Sequence, residues 1–459
     1  MDATGPSGEA SSGPAFPSAG AGRLSLAPAA ARLLLIGLAI REALSFWTGH
    51  PYDFEVWVRT AHAVAQGSNP YAFWPPVPGV SFGYLTQTLP SAAYLPFWPL
   101  LSGGLYRLWE TVGGGNRFAL YFLLKQPPIL ADLLDAYLLY RLAGQWTGRL
   151  RPAIEALGAW SLFPYAIVIS AVWGQFDSIA LATVLGALLA RDAILRNVLY
   201  GWGIFVKWIT FIFLPLELFA ERGARRLAAL VGVAIPVAAT FAIFALLGWG
   251  VTNLLAASVS QTHGGGGGMS WVGILTSGPL YPALSAVPGL YPVLSYLWVP
   301  GIVLAGYAGA RWVRRGEPRT LLRPVLFVTV AFLLLRWGLY EQYMVYLFAL
   351  MILDIAVGHP GRRRLLRALT VAASAYLVVN NDFLLRFLTP IDPPLWPRLM
   401  ALDATPVYGT FRTYALIALC ALVTVLLVQA LWVAWRDDPV PRPWIRWPHR
   451  RGDAEGVVR

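Results

Sequence analysis

One cysteine, two lysines and five histidines are few for a chain of 459 residues, and charged residues make up only 13% of it. The lone Cys420 excludes an internal disulfide and a thiolate metal cluster. It lies in the apolar run ALIALCALVTVLL, where packing is its ordinary role. The scarcity of charge excludes a soluble fold, because soluble domains carry about 25% charged and about 45–50% apolar residues. Here 57% of residues are hydrophobic and the mean hydropathy is +0.58. The alternation of membrane β-strands is missing too. What is present is a series of apolar runs, several near 20 residues, enough to cross a ~30 Å hydrocarbon core. These features predict an all-α polytopic membrane protein in a lipid bilayer.

The net charge is +12, and all the basic residues except Lys125 and Lys207 are arginines. In a membrane protein such an excess reports Arg-rich cytoplasmic loops, so no nucleic-acid partner is expected. Residues 1–22 are rich in Gly, Pro and Ser and read as a disordered tail. No basic segment followed by a cleavable apolar one opens the chain, so the first apolar helix is expected to be retained. The Arg-heavy, Ala/Gly-rich composition suggests a GC-rich microbial genome and hence a plasma membrane.

Placing the Arg clusters around 141–151, 191–196, 222–226, 311–319, 362–367 and 436–459 in the cytoplasm fixes an expected topology. Runs 154–173 and 178–195 form a hairpin with the outer tip VWGQFDS. Runs 227–249 and 291–312 flank a long outer loop in which His263 precedes five glycines, a spacer or a lid. Runs 321–338 and 342–358 form a hairpin with the tip RWGLYEQY. Runs 366–386 and 411–435 flank outer loop 387–410. Residues 198–220 lie between two Arg clusters and are expected to be a re-entrant pair of half-helices bent near Lys207 and Trp208. Residues 89–110, broken by Pro and Gly, read as an interfacial helix in a long first outer loop, 49–118. The count is ten spans plus the re-entrant hairpin, with 12 as the alternative. The chain divides into a module at 23–226, a second at 227–436 and a basic cytoplasmic tail at 437–459.

On this topology Asp53 and Glu55, Asp177, and Glu341 rise at one membrane face from three separate tips. Ionisable groups at a membrane boundary are costly and read as functional. Lys125, Lys207 and Arg336 stand apart from the cytoplasmic clusters and can either pair with carboxylates or hold a phosphate. Trp57, Tyr71, Trp74, Tyr84 and Trp173 fall in the same outer segments; amphipathic rings beside carboxylates suit sugar faces, while belt or core packing is their commoner role. Asp132 and Asp135 share one helix face, and either Lys125 or another helix is expected to supply their partners.

The string PYDFEVWVRTAHAVAQGSNPY resembles the first outer loop of the C-type integral-membrane glycosyltransferases (GT-C superfamily), where an acidic residue follows the first helix and a Gly-x-x-Pro-Tyr run comes later. SAVWGQFDSIALA is similar to the Trp-Gly-Gln-x-Asp outer tip of the mannosyltransferase-like branch, which includes GPI-anchor mannosyltransferases and bacterial and archaeal relatives. KQPPILADLLDAYLLYRLA and WGIFVKWITFIFLPLEL resemble the same branch. The matches run in order over about residues 28–220. The resemblance implies transfer of a sugar, mannose or another hexose, from a polyprenyl-phosphate donor to a glycolipid, glycan or protein acceptor outside the membrane. It makes Asp53 the first-loop catalytic acid and Asp177 the second acidic position. Asp53-Phe54-Glu55 departs from a strict Asp-x-Asp, which leaves metal use open; if Mg or Mn is used, Asp53, Glu55 and Asp177 are its expected ligands.

The chemistry asks for a base to take the acceptor hydroxyl's proton, with inversion at the anomeric carbon, and for cations at the departing phosphate. The expected assignment is Asp53 as base and Glu55 and Asp177 orienting the acceptor. Lys207, Gln175, Arg336 and Tyr340 are expected near the donor phosphate, with Glu341, Lys125 and His263 as further substrate contacts. Two other classes compete. A secondary transporter would use intramembrane charges and a broken helix, but no internal repeat is visible. A non-catalytic scaffold of a glycan-assembly system is the third.

Overall fold

The computed structural model describes residues 26–81, 94–256, 268–277 and 281–436. It is 79% helical, with no strand among the described residues. Among the described residues, four helices are long and apolar enough to cross a membrane: Ala224–Leu247, Leu290–Ala310, Pro318–Leu335 and Pro406–Arg436. Two bent pairs, Leu150–Ser161 with Pro164–Trp173 (45°) and Pro360–Asn380 with Asp382–Leu388 (63°), raise the number to six if each is one span. The chain is thus an all-α membrane protein.

The first half runs α1 (Pro28–Ser45), α2 (Pro51–Ala65), α3 (Phe97–Thr111), α4 (Arg117–Thr147) and α5 (Leu150–Ser161). After the short α6 (Pro164–Ile167) come α7 (Asp177–Leu189), α8 (Ala193–Val206), α9 (Leu214–Ala220) and α10 (Ala224–Leu247). The first outer loop expected from sequence contains α2 and α3. They pack closely because a side chain at Gly103 would meet Val64 at 2.3 Å, and Trp57 sets its ring edge-on to Trp98 at 5.5 Å.

The apolar 198–220 segment is broken where the sequence places its lysine. α8 stops at Val206, Lys207 is extended (φ −156°, ψ 132°), and a 3-10 turn (Trp208–Phe213) leads into α9. α8 also lies tight against α10: a Cβ at Gly201 would sit 1.8 Å from the Gly232 carbonyl oxygen. Small residues allow such approach where lipid supplies no hydrophobic drive for association.

Buried charge ties the first half together. Arg41 of α1 is fully buried and pairs with Asp132 of α4 at 2.7 Å. It also donates to the Ser161 carbonyl at 2.6 Å. Trp160 Nε1 and Ser170 Oγ donate to the same carboxylate, each at 2.8 Å. Of the two partners expected for Asp132, another helix provides it and Lys125 does not. Asp135 is buried, and neither of its carboxylate oxygens has a hydrogen-bond partner among the described residues. One apolar core continues from Leu139 and Leu181 through Leu326 and Phe348 to Leu427, so both halves share it.

Candidate functional site

Asp53 stands in the first turn of α2, which Pro51 opens and His50 caps. Its Oδ2 accepts from Trp173 Nε1 at 2.6 Å and Gln175 Nε2 at 2.8 Å. His50 stacks on Trp173, with centroids 4.8 Å apart, and places Nδ1 3.5 Å from the same oxygen. Among the described residues Oδ1 has no hydrogen-bond partner, and the Asp53 side chain is 26% exposed. The donors come from the predicted WGQ tip. A π-helical turn, Val168–Trp173, turns the Trp173 ring toward Asp53. Gly174 then takes φ +88°, where a Cβ would lie 2.7 Å from Phe54, so this corner requires glycine.

Asp177, three residues beyond Gly174, is buried and receives Lys207 Nζ at 2.6 Å. The ammonium also lies over the rings of Phe176, Tyr94 and Tyr343, 5.0–5.4 Å from their centroids. The break at residue 207 is what brings this lysine to α7. Burial pushes the Tyr94 hydroxyl well above its usual pKa, and Tyr343, Asp53 and Asp177 push it further the same way. The first two predicted carboxylates therefore both act on one tyrosine.

The third tip brings Arg336, Tyr340 and Glu341. Glu341 is buried: Asn380 Nδ2 donates to it at 2.7 Å, and its backbone carbonyl accepts from Tyr165 at 2.9 Å. Burial raises the Glu341 carboxyl, and the Asp53 charge adds to that rise. Tyr340 is partly exposed, and its hydroxyl too is raised by burial first, with Asp53 contributing. The Arg336 guanidinium lies 4.9 Å from the Tyr343 ring centroid and donates to that hydroxyl at 3.3 Å. It forms no ion pair among the described residues, and its buried Nε has no partner.

Other expected members are placed elsewhere. Glu55 is buried against Arg59 at 2.8 Å, facing away from Asp53 because residues two apart on a helix diverge by about 200°. Lys125 is buried and donates to the carbonyls of Ser45 (2.9 Å) and Thr48 (2.6 Å) and to the Thr48 hydroxyl (3.1 Å). It sits 3.4 Å from the Val172 carbonyl. Structurally it joins α1 and α4 to the WGQ tip. His263 lies outside the described residues. No group of three or more His, Cys, Asp or Glu side chains suited to a metal ion occurs among the described residues. Asp53, Glu55 and Asp177 each face a different partner.

The segment 380–388 was missed by sequence reasoning. Asn380 holds Glu341, and the Phe387 carbonyl accepts from Gly49 beside His50 at 2.9 Å. Asp382, Phe383 and Leu384 all take positive φ (50°, 57° and 69°), a costly run for non-glycine residues. Arg386 pins it through Asp382 and through Asp403 at 2.7 Å, and Arg412 pairs with Asp382 at 3.5 Å. The only cue in the sequence was the polar string Asn380-Asn381-Asp382 interrupting an apolar run.

His50 gives the site a pH dependence. Burial lowers its pKa below 6.5 and Arg386 lowers it further, while Asp53 acts the other way. The folded chain therefore holds the ring neutral where the unfolded chain binds a proton. Stability is retained above about pH 6.5 and lost as pH falls below it. Thermal unfolding of the purified protein will show a larger drop in midpoint between about pH 7 and about pH 5 than His50→Gln shows. Equal drops would take His50 out of this role.

Compared with known proteins, the chain matches no protein-family model and no curated protein.

Proposed function

We propose that this chain is a membrane glycosyltransferase resembling the GT-C mannosyltransferase-like branch, with about ten to twelve membrane passes. It moves a hexose, mannose by resemblance, from a polyprenyl-phosphate donor to a hydroxyl on a glycolipid, glycan or protein at the non-cytoplasmic face of a plasma membrane. The observation that carries the reading is Asp53: a partly exposed carboxylate held by two donors on one oxygen, with the other oxygen open. In the proposed step Asp53 Oδ1 takes the acceptor hydroxyl's proton as that oxygen attacks C1. The bond from C1 to the phosphate oxygen breaks, its electron pair leaves on phosphate, and the anomeric centre inverts. Positioned bases of this kind contribute about 10²–10⁴-fold.

Arg336 suits the departing phosphate better than Lys207 does. Lys207 is already neutralised by Asp177, whereas Arg336 has an unpartnered donor and no carboxylate among the described residues. Hydrogen bonds to charged groups are worth about 1.5–3 kcal/mol. Arg336→Gln is therefore expected to raise the KM for the lipid-phosphate donor by roughly ten- to a hundredfold while leaving the acceptor KM near wild type. Unchanged donor KM would remove Arg336 from the phosphate.

The class is tested with purified protein, a labelled polyprenyl-phosphate sugar and a membrane extract as acceptor source. Appearance of labelled, hydroxyl-linked product supports transfer. Label accumulating inside proteoliposomes without product would favour a carrier, the second reading, which the broken segment at Lys207 also suits.

A further inference from the structure

A second polar cleft lies at the far ends of the helices that carry the candidate site. α7 runs from Asp177 to a cleft at Arg191, and α8 runs from that cleft to Lys207. The helix Leu322–Leu335 starts beside the cleft and ends next to Arg336. Arg191, Arg196, Glu221, Arg314, Arg315 and Glu317 line it. Its volume is about 20 Å³, space for one or two water-sized groups.

The charges in this cleft are not self-compensating. Arg196 is consumed: it is forked onto Glu217, with both contacts at 2.9 Å, and donates to Glu221 Oε1 at 2.7 Å. Arg191, Arg314 and Arg315 are exposed and form no ion pair among the described residues. Arg314 and Arg315 project from a fixed turn. The Thr320 hydroxyl accepts from Arg314 N at 2.9 Å and donates to the Glu317 carbonyl at 2.7 Å, and Gly316 supplies φ +81°. An independent feature points to a ligand. Glu221 is 4% exposed, lines the cleft, and its buried Oε2 has no hydrogen-bond partner among the described residues. Leaving a buried carboxylate oxygen unpaired is costly. The cleft thus offers three cations at its rim against the single exposed carboxylate of Glu317, and one unsatisfied acceptor inside.

We propose that this cleft binds a hydroxyl-bearing phosphate ester. Arg191, Arg314 and Arg315 hold the phosphate, and a neighbouring hydroxyl donates to Glu221 Oε2. A phosphate diester without a hydroxyl leaves Glu221 unsatisfied, and a neutral polyol leaves the arginines unused. This volume takes the hydroxyl end and leaves the rest of the ligand outside. Glycerol phosphate has this chemistry, either as a phosphatidylglycerol headgroup at the membrane face opposite the candidate site or as the free ester. Basic pockets between helices commonly hold anionic headgroups. This inference stands apart from the sugar-transfer reading.

The test is native mass spectrometry of the full chain in detergent, titrated with phosphatidylglycerol, phosphatidic acid or phosphatidylcholine, with glycerol 3-phosphate in a parallel thermal-shift titration. Wild type is expected to hold phosphatidylglycerol at least tenfold more tightly than phosphatidylcholine. The exposed double variant Arg314→Gln/Arg315→Gln is expected to lose that margin while unfolding at the wild-type temperature. Free glycerol phosphate matching the lipid's apparent affinity would make the soluble ester the ligand, and a much weaker response would make it the lipid; both support the proposed chemistry. Equal binding of phosphatidylglycerol and phosphatidic acid would overturn the Glu221 contact. Retention of the margin in the double variant, or no preference for either glycerol phosphate over phosphatidylcholine, would overturn the site.

Discussion

Asp53→Asn is expected to lower kcat for sugar transfer by about 10²–10⁴-fold with almost no change in unfolding temperature. The amide has the shape of the carboxyl group. Its oxygen can still accept from Trp173 and Gln175, which now bind Oδ2 at 2.6 and 2.8 Å. The amide nitrogen then occupies the open position. The frame survives, and the atom that must take a proton no longer can. A loss confined to KM would mean that Asp53 binds the acceptor without activating it. Near wild-type turnover in a folded variant would remove it from the base role.

The second large effect concerns Asp177 and Lys207. The pair is buried on both sides, with side chains 0% and 2% exposed, so solvent screens it little. Removing one partner strands the other charge, which typically costs about 3–5 kcal/mol. Asp177→Asn and Lys207→Met are each expected to destabilise the protein by about that much. The double variant should recover most of the loss, because neither charge remains to be desolvated. Denaturation in mixed detergent, monitored by tryptophan fluorescence, measures the cycle. If Lys207→Met keeps wild-type stability and weakens the donor instead, the lysine belongs to the phosphate and the pair is incidental. A double variant as unstable as the sum of the singles would deny that the two charges answer each other.

What could be read from the chain, and what could not, divides along a physical line. The break at Lys207 was legible because a lysine inside an apolar stretch has to be brought to a partner or to water. Asp53 and the WGQ tip were legible because they lie at the ends of apolar runs, where an ionisable group is costly. The partners of buried charges were not legible, since pairing is decided by how helices pack. Asp132 meets Arg41, 91 residues earlier, and nothing local indicates that. Glu55 is instructive: the structure pairs it with Arg59. Its four-residue spacing to Arg59 marked a helix-face ion pair, but its nearness to Asp53 in the chain drew it into the site. The 380–388 segment escaped because three successive left-handed residues leave no periodicity to detect.

Lys125 carries a consequence for the whole arrangement. The oxygens around its ammonium belong to the end of α1, the stretch leading to His50, and the residue just before Trp173. A single cation thereby acts as the keystone between the stretch that leads to Asp53 and the loop that supplies its donors. The alignment of the Asp53 carboxylate is set from behind, by an ammonium that is itself fully enclosed.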